Sequence, residues 1–315
     1  MVEASAEQIT ELASGLRFPE GPVAMPDGSL LIVEIARGTL TRIASDGTTT
    51  VVAKPGGGPN GLAIGPDGRG YICNNGGFDW IEEQGILRPA PVVSDQTYSG
   101  GRIERVDLAS GAVELLCSGS AAGPLNGPND IVFDSEGGFW FTDLGKYRER
   151  KMDRGAVYYA KADGSFIQRV VFPMVTPNGI GLSPDGKRLY VAESQTARLW
   201  AFDIIAPGQL RKKPWPSPNG GDLVIGLAGY QIFDSLAVEA DGRVCIGTLI
   251  TGGITVVSPD GSQCEFVALP DPLPTNICFG GGDLKTAFIT LSGSGKLVSL
   301  PWPRPGLPLN YVAFG

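Results

Sequence analysis

Residues 177–192 read PNGIGLSPDGKRLYVA, and residues 128–143 read PNDIVFDSEGGFWFTD. Each holds a polar residue, a short apolar run, a turn built around an acid, and a second apolar run. Two short apolar runs about such a turn are the pattern of an antiparallel hairpin. Four more stretches align on the same turn: PEGPVAMPDGSLLIVE from Pro19, PNGLAIGPDGRGYICN from Pro59, FDSLAVEADGRVCIGT from Phe233 and TNICFGGGDLKTAFIT from Thr275. The turn acids are Asp27, Asp67, Glu136, Asp185, Asp241 and Asp283. In four units a second hairpin follows, with turns at Asp46-Gly47, Ser110-Gly111, Asp163-Gly164 and Asp260-Gly261, so each unit holds about four strands. Unit starts lie 40, 69, 49, 56 and 42 residues apart, against roughly 40–50 residues for a propeller blade. Six such units predict an all-β, six-bladed β-propeller, a single domain over residues 1–315. The segment Gln8 to Ala13 is expected to complete the last blade and remove a free edge.

Two stretches exceed the repeat. Residues 75–100 (NGGFDWIEEQGILRPAPVVSDQTYSG) add some twenty residues, and residues 206–230 are a second Pro- and Gly-rich excess. Long insertions in a tight repeat tend to carry function, so both are expected to wall the mouth of the central tunnel. The first offers Phe78, Trp80, Ile86, Leu87 and Tyr98; the second offers Ile225, Leu227 and Tyr230.

Composition excludes several classes of chemistry. The chain of 315 residues has no histidine, which removes Ser-His-Asp and Cys-His catalysis and any imidazole-ligated metal. A net charge of −8 without a basic face argues against a nucleic-acid partner. The densest basic stretch, Lys146 to Arg154, also holds Glu149 and Asp153 and reads as a solvated loop. No apolar run approaches the roughly 18 residues of a membrane span, and MVEASAEQITELASG lacks the charge and apolar core of a signal peptide. The five cysteines (Cys73, Cys117, Cys245, Cys264, Cys278) are scattered without a CxxC. They read as reduced core residues of a cytoplasmic protein.

Seven residues before each turn acid stand Glu20, Asn60, Asn129, Asn178, Asp234 and Asn276. Each precedes the first strand of its unit, which in a propeller lies innermost. Six equivalent positions therefore converge on one ring around the tunnel, giving two carboxylates and four amide carbonyls. Such an all-oxygen set suits a hard divalent cation. A single Pro-Asn-Gly is ordinary turn chemistry, but turn propensity does not place Glu20 and Asp234 at the same phase. Buried polar side chains also need partners, which a cation would supply.

The runs FPEGPVAMPDG, GPNDIVFDSEGGFWFTD, TPNGIGLSPDGKRLYVAES and FDSLAVEADGRVCIGT resemble the SMP-30/gluconolactonase/LRE-like superfamily. That group includes lactonases such as gluconolactonase, and also diisopropyl fluorophosphatase. The resemblance covers essentially the whole chain. It implies a six-bladed propeller with a divalent cation in its tunnel, calcium first, with magnesium, manganese or zinc as alternatives. It implies cation ligands at Glu20, Asn129, Asn178 and Asp234, with Asp234 also the general base or nucleophile. The fluorophosphatase's second calcium site uses a histidine and has no counterpart here. The Arg-x-Asn pair with which sugar lactonases hold hydroxyls is also missing, since Arg102 is followed by Ile103-Glu104. A less polar lactone is therefore the expected substrate, contacted by residues among Asn60, Asn276, Phe78, Trp80, Tyr98 and Arg102.

The expected chemistry is lactone opening. A dication polarises the carbonyl, with Glu20 a permanent ligand and Asp234 the proton acceptor from water. Asp130, beside Asn129, either faces the tunnel or stabilises the turn. Alternative readings are a phosphotriester or fluorophosphate hydrolase on the same ring, a non-catalytic ligand-binding propeller, and a condensing enzyme similar to strictosidine synthase. The oligomeric state is not encoded in any motif.

Overall fold

The computed structural model describes residues 9–312 together with the strand Val2–Glu3. Among the described residues every regular element is a strand, and no helix is long and apolar enough to cross a membrane. Six sheets form a six-bladed β-propeller. The inner strands are Pro19–Ala24, Pro59–Ile64, Pro128–Phe133, Pro177–Leu182, Ile232–Val238 and Pro274–Gly280. From each inner strand the chain runs outward through antiparallel neighbours. The hairpins expected at Asp46, Ser110, Asp163 and Asp260 join the third and fourth strands of blades one, two, three and five.

The sixth blade is built from both ends of the chain. Its inner three strands are Pro274–Gly280, Thr286–Leu291 and Lys296–Pro301, and Thr10–Ala13 pairs with the last of these. Gln8, the expected start of that strand, lies outside the described residues. Val2–Glu3 adds itself in parallel to the outer strand Cys264–Ala268 of blade five.

Apolar residues fill the wedges between blades. Six buried clusters occupy the six junctions, for example Tyr71, Cys73, Phe139 and Tyr158 between blades two and three. Fully burying a side chain of this size stabilises by about 1.5–3 kcal/mol, so the ring is held by sheet-on-sheet contact and not by its polar axis. A seventh cluster (Phe18, Ile35, Leu87, with Phe78, Trp80 and Leu273) fixes the first insertion over the ring.

That insertion forms a hairpin, Trp80–Glu83 with Ile86–Pro89. It reaches blade six through Leu87 N–H to Gly293 O (2.9 Å) and blade three through Val93 N–H to Tyr147 O (2.9 Å). It meets blade one where the Phe18 and Trp80 rings pack tilted at 5.0 Å, and it thus spans the face on which the inner strands begin. The second insertion departs from expectation. Gln209–Arg211 and Asp222–Gly226 both pair with the third strand of blade four, Arg198–Ala206. The excess chain there extends the outer edge of that blade, away from the mouth, because a free third strand offers a row of backbone partners. Ile225 and Leu227 pack against the blade-four/five core, and Tyr230 is exposed.

At the opposite end of the tunnel the C-terminal segment crosses the axis. Leu307 N–H donates to Val238 O (2.8 Å), Asn310 Nδ2 donates to Phe133 O (2.9 Å), and Val312 is buried with the blade-one/two core. Between this plug and the ring lies a largely apolar cavity of about 100 Å³ lined by all six inner strands. Cys73, Cys245 and Cys278 are buried and Cys117 half-buried, whereas Cys264 is exposed on an outer strand and is not a core residue.

Candidate active site

All six inner strands break register at or beside the ring position: between Glu20 and Val23, Pro59 and Gly61, Pro128 and Ile131, Pro177 and Ile180, Phe233 and Leu236, and Pro274 and Asn276. A bulge redirects a side chain out of the alternating pattern. Here it leaves Asn60, Asn129, Asn178 and Asp234 without a register partner in their own sheets, whereas Glu20 and Asn276 stay paired, with Val33 and Thr290.

Neighbouring inner strands then approach one another closely. A Cβ on Gly21 would lie 2.7 Å from Asn60 O, one on Gly61 2.5 Å from Asn129 O, and one on Gly179 2.7 Å from Asp234 O. The glycine of the PEG and PNG motifs is thus the residue that lets the next blade's ring member come near. Between blades three and four, Thr142 Oγ1 donates to Asn178 O (2.6 Å) and Ile180 N–H donates to Asp130 Oδ2 (3.2 Å). Blade six closes on blade one through Asn276 Nδ2 to Glu20 Oε2 (2.8 Å).

The segments that lead into the inner strands are held by a polar residue at the end of the second strand. Glu34 Oε2 accepts from Arg17 N–H (2.8 Å), Asn74 Oδ1 from Gly58 N–H (2.9 Å), Asp143 from Asn126 and Gly127 N–H (2.8 and 2.7 Å), and Glu193 Oε1 from Val175 N–H (2.8 Å). These residues were missed by the sequence reading. Their mark is a polar side chain that ends an otherwise apolar run.

The six ring residues differ in what their side chains do. Glu20 is 2% exposed, and its Oε2 accepts from Gly21 N–H (2.7 Å) and from Asn276. Asn276 Oδ1 accepts from Ile277 N–H (2.8 Å), so this amide acts as a strut for Glu20. Asn178 donates to Ser194 Oγ (3.0 Å) and accepts from Ser235 Oγ (3.3 Å). Asn129 Oδ1 is buried with no hydrogen-bond partner. Asp234 is half-buried, and Asn60 is buried. Asp130 is buried beside the ring, its oxygens accepting from Ile131 and Ile180 N–H.

Burial raises the carboxyl pKa of Glu20 to about 7 against the hydrogen bonds from Asn276 and Gly21. Burial and then the charge of Glu20 raise Asp130 to about 7. Burial and the same charge push Asp234 well above the usual range. Among the described residues no Lys or Arg lies within 4.0 Å of these three acids. An orphaned amide oxygen beside carboxylates that lack a counter-charge fits a hard dication. Among the described residues no three acids or thiols converge to form a metal site by themselves. The oxygens that could hold an ion here are the carboxylates of Glu20 and Asp234 and the amides of Asn129 and Asn178, while Asp130 spends its oxygens on backbone.

A stability prediction follows. Acids with raised folded-state pKa stabilise the fold below their unfolded value, about 4, and that contribution is lost as pH rises through about 7. For Glu20 the loss is on the order of 3 kcal/mol. The turn acids shift the other way (Asp27, Asp185) and have already titrated by pH 6. Cation-stripped protein is therefore expected to melt several degrees lower at pH 8 than at pH 6, and millimolar Ca²⁺ is expected to raise the pH 8 value more. Differential scanning calorimetry with EDTA and with Ca²⁺ checks this; equal melting at both pH values would show that the acids are not confined together.

The insertion contributes the walls. Phe78 and Trp80 meet edge to face at 6.0 Å. Tyr98 donates to Asn126 O (2.8 Å) and accepts from Gly101 N–H (3.1 Å). Arg102 spends its guanidinium on Glu104 Oε1 (2.6 Å), Ser99 Oγ, Gly100 O and Pro55 O, so it braces the base of the insertion. Lys146 contradicts its reading as part of a solvated loop. It is 2% exposed, and Nζ lies 3.7 Å from the Phe78 ring centroid. The insertion covers it, a long-range contact that a local charge pattern does not reveal.

The profile of the SMP-30/Gluconolactonase/LRE-like region matches residues 18–293. A gluconolactonase of Zymomonas mobilis is 25% identical over 316 residues, covering 90% of this chain and 79% of its own. Lactonase drp35 of Staphylococcus saprophyticus is 27% identical over 269 residues, covering 84% and 74%. Among solved structures, the gluconolactonase XC5397 of Xanthomonas campestris superposes with a TM-score of 0.73 at 23% identity over 96% of this chain and 94% of that one, a likeness of fold.

Proposed function

Since the chain belongs to the SMP-30/gluconolactonase/LRE-like family, we propose that it is a lactonase that opens a small cyclic ester at the ring of Glu20, Asn129, Asn178 and Asp234. The observation that carries this reading is the orphaned Asn129 oxygen beside uncompensated Glu20 and Asp234, in a chain whose lactonase relatives align over most of its length. The ring would hold one divalent cation, calcium before magnesium, manganese or zinc, which when bound supplies Lewis acidity toward the ester carbonyl.

The residues divide the remaining work. Asp234, the half-buried ring acid, takes a proton from water as the water oxygen attacks the carbonyl carbon. Its raised pKa brings its basicity toward the working pH. The ring C–O bond breaks, and the same proton passes from Asp234 to the departing alkoxide, leaving a hydroxy acid. Glu20 is held by Asn276 and Gly21 and keeps its geometry through the cycle. Asn129 and Asn178 offer neutral oxygens and so leave the charge of the dication undiminished. Phe78 and Trp80 hold an apolar substrate body and exclude bulk water. Asn60 completes the polar wall, Tyr98 fixes the insertion, and Arg102 acts at one remove by bracing it. The partner is a small molecule, and the working compartment is the cytoplasm, in keeping with five free thiols.

The test is a pH-stat panel of γ- and δ-lactones, sugar lactones and phosphotriesters, run with EDTA and with cation add-back. Hydrolysis of simple lactones above the other classes is expected, lost on chelation and restored by Ca²⁺. Turnover confined to phosphotriesters would transfer the ring to that chemistry, and undiminished turnover in EDTA would remove the cation.

A further inference from the structure

Asn75 follows the strand Gly70–Asn74 directly, and its backbone N–H donates to Gly58 O (2.8 Å). Gly58 stands two residues before Asn60, so Asn75 lies about 7 Å along the strand from the ring position. On blade three Leu144 sits at the same height, its N–H donating to Gly127 O (2.9 Å) two residues before Asn129, and Lys146 follows two residues on and reaches across to Asn75. Lys146 Nζ donates to Asn75 Oδ1 (3.1 Å) and Gly77 O (2.8 Å). Two buried polar groups thus meet one layer above the ring, beneath the insertion.

One donor of the pair lacks a partner, and the amine lacks a counter-ion. Asn75 is 1% exposed, and its Nδ2 has no acceptor. The amide orientation is fixed, because Oδ1 accepts from both Lys146 Nζ and Gly77 N–H (2.8 Å). A reversed amide would set donors against donors. Among the described residues no carboxylate lies within 4.0 Å of Lys146 Nζ. Its neighbour Asp143 spends its oxygens on the N–H groups of Asn126, Gly127 and Gly145. Burial pulls the Lys146 amine down to about 7, and a carboxylate set against it and the orphaned Asn75 N–H would restore the ammonium and supply the missing acceptor. Phe78 shields one face of the ammonium, but a ring quadrupole replaces only part of a lost ion pair.

We propose that Lys146 and Asn75 form a carboxylate-binding subsite one layer above the ring, and that the preferred lactone carries a carboxylate substituent. The substrate half of this rests on the lactonase reading; the binding half does not. One positive charge and two adjacent donors match a planar monoanion. The spacing of about 7 Å places the cyclic ester over the ring while the carboxylate is held above. Entry displaces the Phe78 ring, and Gly76 and Gly77, both at positive φ (84° and 109°), join that ring to Asn75.

The test pairs a γ-lactone with its carboxylated counterpart, in wild type and in Lys146→Met. Wild type is expected to prefer the carboxylated lactone in kcat/KM by about tenfold or more, and Lys146→Met to bring that ratio toward one. Calorimetric binding of glutarate against glutaramide supplies a readout without turnover. Wild type should bind the diacid about tenfold more tightly, and the variant should lose that difference. Equal loss on both lactones in the variant, or no preference in wild type, overturns the subsite. Should Lys146→Met fail to fold, Asn75→Ala takes its place in both comparisons. Glutarate selectivity without hydrolysis of either lactone would keep the subsite and remove the lactonase reading; hydrolysis of both at equal rates would do the reverse.

Discussion

Asp234→Asn is expected to lower lactone turnover by about 10³-fold or more while leaving the fold and much of the cation affinity intact. The substitution is isosteric and keeps an amide oxygen pointed at the ring, but an amide cannot take a proton from water. Loss of a positioned general base costs 10²–10⁴-fold, and the weakened ligand adds to this. The neighbour Asn178, which favours the charged form of Asp234, can pair equally with an amide, so no buried group is orphaned. Turnover by pH-stat, cation affinity by titration calorimetry and circular dichroism together check the result. Turnover within tenfold of wild type at saturating cation would take the proton-transfer role away from Asp234.

Glu20→Gln is expected to act through the cation. Two donors, Gly21 N–H and Asn276 Nδ2, converge on one carboxylate oxygen; a glutamine oxygen can accept both, but its NH2 then stands where the second carboxylate oxygen was free for the ion. Removing one of two anionic ligands is expected to weaken Ca²⁺ binding by about 100-fold, with turnover at low cation falling in step. Excess cation recovers a large part of the lost rate here, whereas in Asp234→Asn it recovers only the share owed to the weakened ligand. The same change relieves a buried charge. The cation-free variant is therefore expected to melt above cation-free wild type at pH 8, where Glu20 is ionised, and no higher at pH 5, where it is not. Calorimetric affinity and melting scans at both pH values test this; an unchanged Ca²⁺ affinity would show that Glu20 is not a ligand.

Much of the architecture was legible because the propeller repeats its local rules. Each Asp-Gly turn fixes a hairpin, and six hairpins at similar spacing leave a closed ring as the arrangement that buries every sheet face. Counting back from the turn acids reaches the same part of the inner strand in every blade because that strand is six or seven residues long throughout. The roles within that ring were less legible. Asn276 and Asn178 occupy the same phase, yet one holds Glu20 and the other contacts Ser194 and Ser235. The difference lies in neighbours from other blades. Asp130 enters the cluster through the bulge after Asn129, a backbone irregularity with no composition of its own. Lys146 looked solvated because the eight residues after it are largely polar, and only the insertion, some sixty residues earlier in the chain, closes over it. The second insertion was misplaced because length alone gives no direction: its two short strands found partners along blade four.

The strand Thr10–Ala13, which finishes the sixth blade against Lys296–Pro301, has a bearing on biogenesis. A ribosome adds roughly 5–20 residues per second, so close to 300 residues, about 15–60 s of synthesis, separate this strand from its mate. Throughout that interval the nascent chain exposes an unsatisfied backbone edge at its leading end and a growing row of blades that cannot yet shut. Bulky fusions ahead of Thr10 should therefore hinder maturation more than equal masses placed on an outer loop, and holdase chaperones should engage this chain for most of its translation.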